Sequence, residues 1–249
     1  MERDIKISAL SYSNTYPFVY GLQQKLGNRA GELRFEVPAV SARRFASGEV
    51  DVALVPVGAL PSLSDYKIIT DYCIGSDGEV KTVCLYSKQP LEKITTVFLD
   101  IESRTSVNLA KILAREYWKI SPGWKPFDSK ANPVSHDSVV LIGDKTFGME
   151  NRYPFVWDLS DEWKKLTGLP FVFAVWVARK DVDNEFVEML NDALAFGVDN
   201  IANLYDNFLI KMPRDEFEDY LKNYISYNLN DEKLRAMKKY LDYLSMLEK

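Results

Sequence analysis

The chain has 249 residues, 47% hydrophobic and 27% charged, with a formal net charge of −5. This is enough chain for a full core or two lobes, and its proportions are those of a globular protein rather than a disordered, collagenous or membrane-embedded one. Its charges are scattered without a basic stripe, which argues against a nucleic-acid binder; an anion site would have to be built locally from Arg or Lys, backbone N–H groups and helix N-termini.

The opening run Ile5-Lys6-Ile7-Ser8-Ala9-Leu10 alternates as a strand does, with Lys6 to Leu10 as its core. It contains no apolar stretch of signal-peptide length, and the whole sequence shows no transmembrane candidate, so a cytoplasmic protein is expected. The polar turn Ser11-Tyr12-Ser13-Asn14-Thr15 follows, and Pro17, suited to a first helical position, opens a helix through Phe18, Tyr20 and Leu22. Leu33 to Val37 is a second strand, and Ser41 to Ser47 a short helix stopped by Gly48. Val50 to Pro56 is almost continuously apolar, as befits a parallel strand covered on both faces. Lys67 to Ile74 and Thr82 to Tyr86 read as strands around the turn Gly75-Ser76-Asp77-Gly78.

After Pro90 the pattern begins again. Thr95 to Leu99 is a strand, Asp100 to Thr105 a polar loop, and Val107, Ala110, Leu113, Ala114, Tyr117 and Trp118 share one helix face. Val139 to Ile142 is a further strand followed by Gly143-Asp144; Ser160 is expected to cap a helix that stops at Gly168; Phe171 to Val177 is a long buried strand. The last part is mostly helical, with Leu234, Met237, Leu241 and Leu244 as its core-facing stripe.

Repeated strand–helix units whose chain returns to the first group predict a two-lobed α/β protein. The crossings are placed near Cys84 to Lys88 and Phe173 to Arg179, giving one lobe from residues 1–86 plus 178–249 and a second from 87–177. A ligand is expected between them, at the C-terminal ends of strands.

Several catalytic classes fall away. There is no phosphate-cradling GxxxxGK[ST], no GxGxxG after a strand, no HExxH and no GxSxG elbow. His136 is the only histidine and sits in a polar loop; Cys73 and Cys84, the only cysteines, read as buried free thiols. A structural zinc site and a Ser-His-Asp or Cys-His mechanism are therefore not expected. What remains are polar loops directly after strands: Ser11 to Thr15, Pro56-Val57, Lys81-Thr82, Ser103 to Ser106 and Gly143-Asp144. Two of them open helices, whose free N–H groups can receive a carboxylate. Ser103, Thr105 and Ser106 add hydroxyls, and Lys81 or Arg104 could add positive charge. Together they suit a small organic anion, although each loop alone could be only a turn or a cap.

At these residues the sequence resembles the MqnA family, the chorismate dehydratases of the futalosine route to menaquinone. The likeness rests on Ser11-Tyr12-Ser13-Asn14-Thr15-Tyr16-Pro17, Ser47-Gly48-Glu49-Val50-Asp51 leading to Leu54-Val55-Pro56-Val57, Asp71-Tyr72-Cys73-Ile74-Gly75, and Gly78-Glu79-Val80-Lys81-Thr82-Val83. It continues through Ser103-Arg104-Thr105-Ser106-Val107, Ile142-Gly143-Asp144 and Thr167-Gly168-Leu169-Pro170-Phe171-Val172-Phe173-Ala174, covering roughly residues 5–180. Ser13, where a Leu is more familiar, and Gly58, where Ala is common, depart from the pattern.

The resemblance implies a class II periplasmic-binding-protein-like fold, with a mixed sheet in each lobe and a helical C-terminal segment. It also implies conversion of chorismate to 3-[(1-carboxyvinyl)oxy]benzoate and water, a hydro-lyase reaction without metal or redox cofactor. Asn14 would be the catalytic residue, orienting the substrate and hydrogen-bonding the leaving hydroxyl; its plainer reading is an Asx-turn residue. Ser11, Thr15, Pro56, Lys81, Thr82, Ser103, Arg104, Thr105, Ser106, Gly143 and Asp144 would bind substrate. The proton acceptor would be the substrate's own enolpyruvyl carboxylate or Asp144. The alternatives are a non-catalytic small-anion solute-binding protein and a later enzyme of the same route on the same fold. Chorismate is the one partner expected, with no nucleic acid or membrane; the oligomeric state stays open.

Overall fold

The continuous apolar runs become the inner strands of two separate sheets. The computed structural model describes residues 4–27, 30–127, 131–149 and 151–247, so the extreme ends of the expected first lobe, 1–3 and 248–249, lie outside the described residues. In chain order the regular elements begin with β1 (Ile5–Leu10), α1 (Tyr16–Lys25), β2 (Ala30–Glu36), α2 (Pro38–Ser47), β3 (Val52–Pro56) and β4 (Tyr66–Ser76). Next come β5 (Val83–Ser87), β6 (Thr96–Asp100), α3 (Arg104–Leu113), β7 (Gly123–Phe127), β8 (Ser138–Ile142), β9 (Phe155–Asp158) and α4 (Leu159–Thr167). The chain closes with β10 (Phe171–Arg179), α5 (Asn184–Asp199), α6 (Arg214–Asp219), β11 (Ser226–Asn228) and α7 (Asp231–Leu247).

The first sheet runs β11-β4-β10-β3-β1-β2 and the second β7-β6-β8-β5-β9. Each contains parallel neighbours and one inner strand that opposes them: β10 is antiparallel to β3 and β4, and β5 to β8 and β9. In both cases the reversed strand is the one that has just arrived from the other sheet. The chain therefore crosses at residues 77–82 and again at 168–170, earlier than the expected crossings at 84–88 and 173–179. Consequently β5 belongs wholly to the second lobe and β10 to the first. An inner strand is apolar on both faces in either sheet, so its composition carries no mark of which sheet it joins.

Three short edge strands escape the sequence pattern. In β7 Lys125 and Pro126 interrupt the apolar signal, and an edge position tolerates that proline. The others, β9 and β11, have only four and three residues. The cap of α4 also differs from expectation. Asp158 supplies it, accepting from Ser160 N at 2.9 Å and Asp161 N at 3.2 Å, while the Ser160 hydroxyl is buried against Ser76 Oγ at 2.6 Å.

In the first lobe α1 and α5 meet backbone to backbone at Gly21 and Gly197. A Cβ at either position would lie 1.8 Å from a carbonyl oxygen of the facing helix. The final helix braces both lobes: Tyr240 packs on Phe171 of β10 and donates to Thr105 O of α3 at 3.1 Å. Its buried face is Lys233, Ala236, Met237, Tyr240 and Leu244, whereas Leu234 is 41% exposed. The stripe is thus rotated from the expected one because Lys233 is inside, with Nζ bonded to Ser226 O, Ser226 Oγ and Asn228 O at 2.5, 2.8 and 2.7 Å. Cys73 and Cys84 are free and buried. No helix among the described residues is long and apolar enough to cross a membrane.

Candidate active site

Parallel strands aim their C-terminal ends one way, so β1 and β3 of the first lobe and β6 and β8 of the second deliver their following loops to one cleft. The cleft is a narrow cavity of about 40 Å³, well below the ~300–1,000 Å³ of a typical small-ligand pocket, so a ligand enters only when the lobes part. Its polar lining is Tyr12, Asn14, Thr82, Ser103, Ser106 and Gly143; its walls are apolar, with Leu10, Ile74, Ile142 and Phe173 among them. Among the described residues no charged side chain lines it.

Local hydrogen bonds explain how the first loop is shaped. Leaving β1, the chain folds into a 3-10 turn over Ser13–Thr15, held by Thr15 N to Tyr12 O at 2.9 Å. The buried Thr15 hydroxyl reaches Leu10 O at 2.6 Å and Tyr12 O at 2.8 Å, so this side chain builds the turn rather than facing the cleft. Asn14 is left at the cleft wall, and its Oδ1 is a buried acceptor with no hydrogen-bond partner among the described residues. Such an orphan costs roughly 1–3 kcal/mol unless a ligand satisfies it.

On the opposite side Ser103 caps α3, accepting from Ser106 N at 3.4 Å. The hydroxyls of Ser103 and Ser106 stand one turn apart on the face that lines the cleft. The first-turn N–H groups of Arg104 and Thr105 have no preceding helical carbonyl to bond, and with the helix dipole they favour an anion. The Arg104 side chain points outward, where Nη1 meets Ser62 Oγ at 3.4 Å in a neighbouring groove. Thr105 is fully buried as a joint between lobes, accepting from Gly58 N at 2.9 Å and donating to Phe173 O at 3.0 Å.

The remaining expected residues divide in the same way. Pro56, Thr82 and Gly143 line the cleft. Ser11 is exposed and only continues the sheet through its N–H to Glu36 O at 3.1 Å. Lys81 turns away, its Nζ lying 3.5 Å above the Tyr224 ring and 3.8 Å from Asp219 Oδ2. Asp144 reaches across the lobes: it accepts from the Ser13 hydroxyl at 2.8 Å and from Ser13 N at 3.1 Å. Burial raises its carboxyl above the ordinary range, and the Ser13 bonds pull it part of the way back. Ser13 thus engages Asp144, which does not line the cleft. His136 stacks on Phe98 at 3.9 Å and does not line the cleft.

A second cross-lobe contact sets the cleft floor. The Tyr12 hydroxyl donates to Glu102, which pairs with Lys145 at 2.9 Å; Lys145 also pairs with the buried Asp100. Burial raises Glu102, but bonds from Tyr12 and Lys145 outweigh it and leave its pKa lowered. The Tyr12 ring lies against Gly143, whose φ is +61°.

Residues 5–246 match the family described as Menaquinone biosynthesis. The chain belongs to that family. Among curated proteins it is similar to the chorismate dehydratase of Thermus thermophilus, 32% identical over 164 residues, which is 58% of this chain and 60% of that protein. Among solved structures it is similar to protein AF1704 from Archaeoglobus fulgidus, with a TM-score of 0.73 at 17% identity, covering 98% of both chains. It is also similar to the periplasmic aliphatic sulphonate binding protein SsuA from Escherichia coli, with a TM-score of 0.62 at 14% identity, covering 98% of this chain and 87% of that one. The two-lobed α/β architecture is therefore a periplasmic-binding-protein-like fold.

The menaquinone biosynthesis family protein also brings to its site residues that sequence reading did not single out. Tyr220 hydrogen-bonds Thr82 Oγ1 at 2.8 Å, and Tyr227 donates to Asn14 O at 3.0 Å. Both phenols are buried and raised by that burial. They come from the tail beyond the matched motifs, where no local pattern marks them.

Proposed function

We propose that this protein dehydrates chorismate to 3-[(1-carboxyvinyl)oxy]benzoate and water, acting as a carbon–oxygen lyase in menaquinone biosynthesis. The observation that carries the reading is the cleft itself, which offers hydroxyls, a helix N-terminus and the unpartnered Asn14 Oδ1, with no charged side chain in the lining among the described residues. Membership in the menaquinone family and the chorismate dehydratase relative supply the substrate.

Chorismate bears two carboxylates and a ring hydroxyl. The first turn of α3 with Ser103 and Ser106 suits a carboxylate, and Asn14 Oδ1 suits the hydroxyl, whose O–H it would accept. The elimination breaks the ring C–O bond and the neighbouring C–H bond; the departing hydroxyl and the proton leave together as water. Aromatisation of the ring drives the reaction. Orientation and a proton acceptor are what the protein must add. Asp144 is engaged by Ser13 and, among the described residues, no carboxylate or imidazole lines the cleft, so the substrate's enolpyruvyl carboxylate takes the ring proton and passes it to the departing hydroxyl, which leaves as water. The apolar walls hold it near the ring and keep bulk water out.

The test is incubation of the protein with chorismate, followed by chromatography and mass. Loss of one water with a new aromatic absorbance supports the dehydratase. Chorismate that binds but is recovered unchanged points instead to a solute-binding protein, the role named for the sulphonate-binding structure of similar fold.

A further inference from the structure

The tail after β10 carries no recognisable motif, yet it supplies the structure behind Asn14. Tyr227 lies in the short strand β11 and its hydroxyl donates to Asn14 O at 3.0 Å. Its ring packs edge-on against Phe18 at 5.3 Å, so the phenol is held from both ends. Tyr220 opens a π-helical turn, Tyr220–Tyr224, a backbone irregularity that recurs at functional sites. Its hydroxyl is 2.8 Å from Thr82 Oγ1, a cleft-lining residue of the inter-lobe crossing, and its ring stands edge-on to Phe147 at 5.4 Å. Asn14 Oδ1 meanwhile has no hydrogen-bond partner among the described residues.

The brace is itself anchored. Lys233 is 2% exposed, and its Nζ binds Ser226 O and Asn228 O, the residues on either side of Tyr227. An ammonium has three donors and no acceptor, and here it spends them on β11 rather than on a carboxylate. Lys233 thus fixes β11, β11 fixes Tyr227, and Tyr227 fixes the backbone of Asn14.

We infer that Tyr227 is a positioning residue that holds the Asn14 backbone so that Asn14 Oδ1 accepts a hydrogen bond from the substrate's ring hydroxyl. This deepens the chorismate reading and rests on it for the identity of that hydroxyl. Tyr227 acts through Asn14 and touches no reacting atom. Displacing a reacting geometry by about 1 Å costs on the order of 100-fold in rate, so loss of its hydroxyl is expected to cost roughly 10- to 100-fold.

The experiment is a double-mutant cycle, Tyr227→Phe alone and combined with Asn14→Ala. Chorismate turnover is read together with the carbonyl carbon shift of residue 14 by NMR. Tyr227→Phe keeps its ring contacts, should lower kcat roughly 10- to 100-fold with KM within about threefold, and should add nothing in the Asn14→Ala background. It should also move the carbonyl shift of Asn14, whose acceptor bond it removes. Multiplicative losses in the double variant, or an unmoved Asn14 carbonyl in Tyr227→Phe, would overturn the inference. A wild-type protein that leaves chorismate intact would strike the chorismate reading, and the carbonyl shift would still decide whether Tyr227 holds Asn14.

Discussion

Gly143→Ala is the sharpest probe of how the two lobes meet. A Cβ at Gly143 would stand 2.7, 2.9 and 3.0 Å from three carbons of the Tyr12 ring, and the backbone there has φ +61°. The ring cannot retreat freely, because its hydroxyl is bound to Glu102 on the other lobe. A left-handed conformation costs an ordinary residue about 1–2 kcal/mol, and overpacking adds about 1–3 kcal/mol. The backbone cost is the same with the lobes apart, so overpacking alone penalises the closed arrangement, by about 1–3 kcal/mol or a fall of roughly 5- to 150-fold in any property that requires closure. Gly148→Ala is the matched control, since Gly148 has φ +78° but nothing within 4 Å of its Cβ position. The assay is kcat/KM for chorismate, beside the radius of gyration in solution and the melting midpoint. Gly143→Ala should be far weaker than Gly148→Ala in turnover and more expanded. Equal turnover in the two variants would refute the claim that the Tyr12–Gly143 contact governs closure.

Asn14→Asp should keep the fold but lower kcat/KM by on the order of 100-fold, because it sets a negative charge beside a substrate that bears two carboxylates; near-normal turnover would remove Asn14 from the catalytic role. Ser13→Ala takes away the hydroxyl that meets Asp144 at 2.8 Å across the lobes. About 1 kcal/mol of closure should be lost, seen as a weaker KM with kcat little changed, and an unaltered KM would count against this clasp. Asp158 supplies a pH signature. Burial pushes its carboxyl up to about 6 even though four backbone N–H groups donate to it. A raised folded value means that the native state binds the proton more tightly than the unfolded chain, whose Asp titrates near ~4. Its contribution to stability is therefore full below about pH 4 and is lost as pH rises to about 6. Asp158→Asn should flatten that part of the profile in chemical denaturation, and parallel curves for the two proteins would contradict it.

Much of the site was legible because it is local. A strand, a polar turn and a proline at a helix start placed Asn14; a Ser three residues before another Ser marked the N-terminus of α3. Helical geometry then separates residues that the sequence holds side by side. Ser103 and Ser106 share a face, while Arg104 between them is turned toward Ser62 and Thr105 toward Phe173. Lys81 shows the same limit: its backbone is in the left-handed region and its side chain departs toward Tyr224, though Thr82 beside it lines the cleft.

Hydrophobic period, caps and turn residues act over a few positions, and they determined most of the strands and helices and the two-lobed α/β class. Contacts made across the chain were decided only by the tertiary structure. Tyr227 and Asn14 lie 213 residues apart, and Ser13 and Asp144 lie 131 apart. Both pairs depend on which sheet β5 and β10 enter, a choice their uniformly apolar sequences leave open. Lys233 is the same case, since a lysine in a helix reads as solvent-facing until β11 arrives with three oxygens for its ammonium. Local propensity is set by neighbours in sequence, whereas burial and partnership are set by neighbours in space.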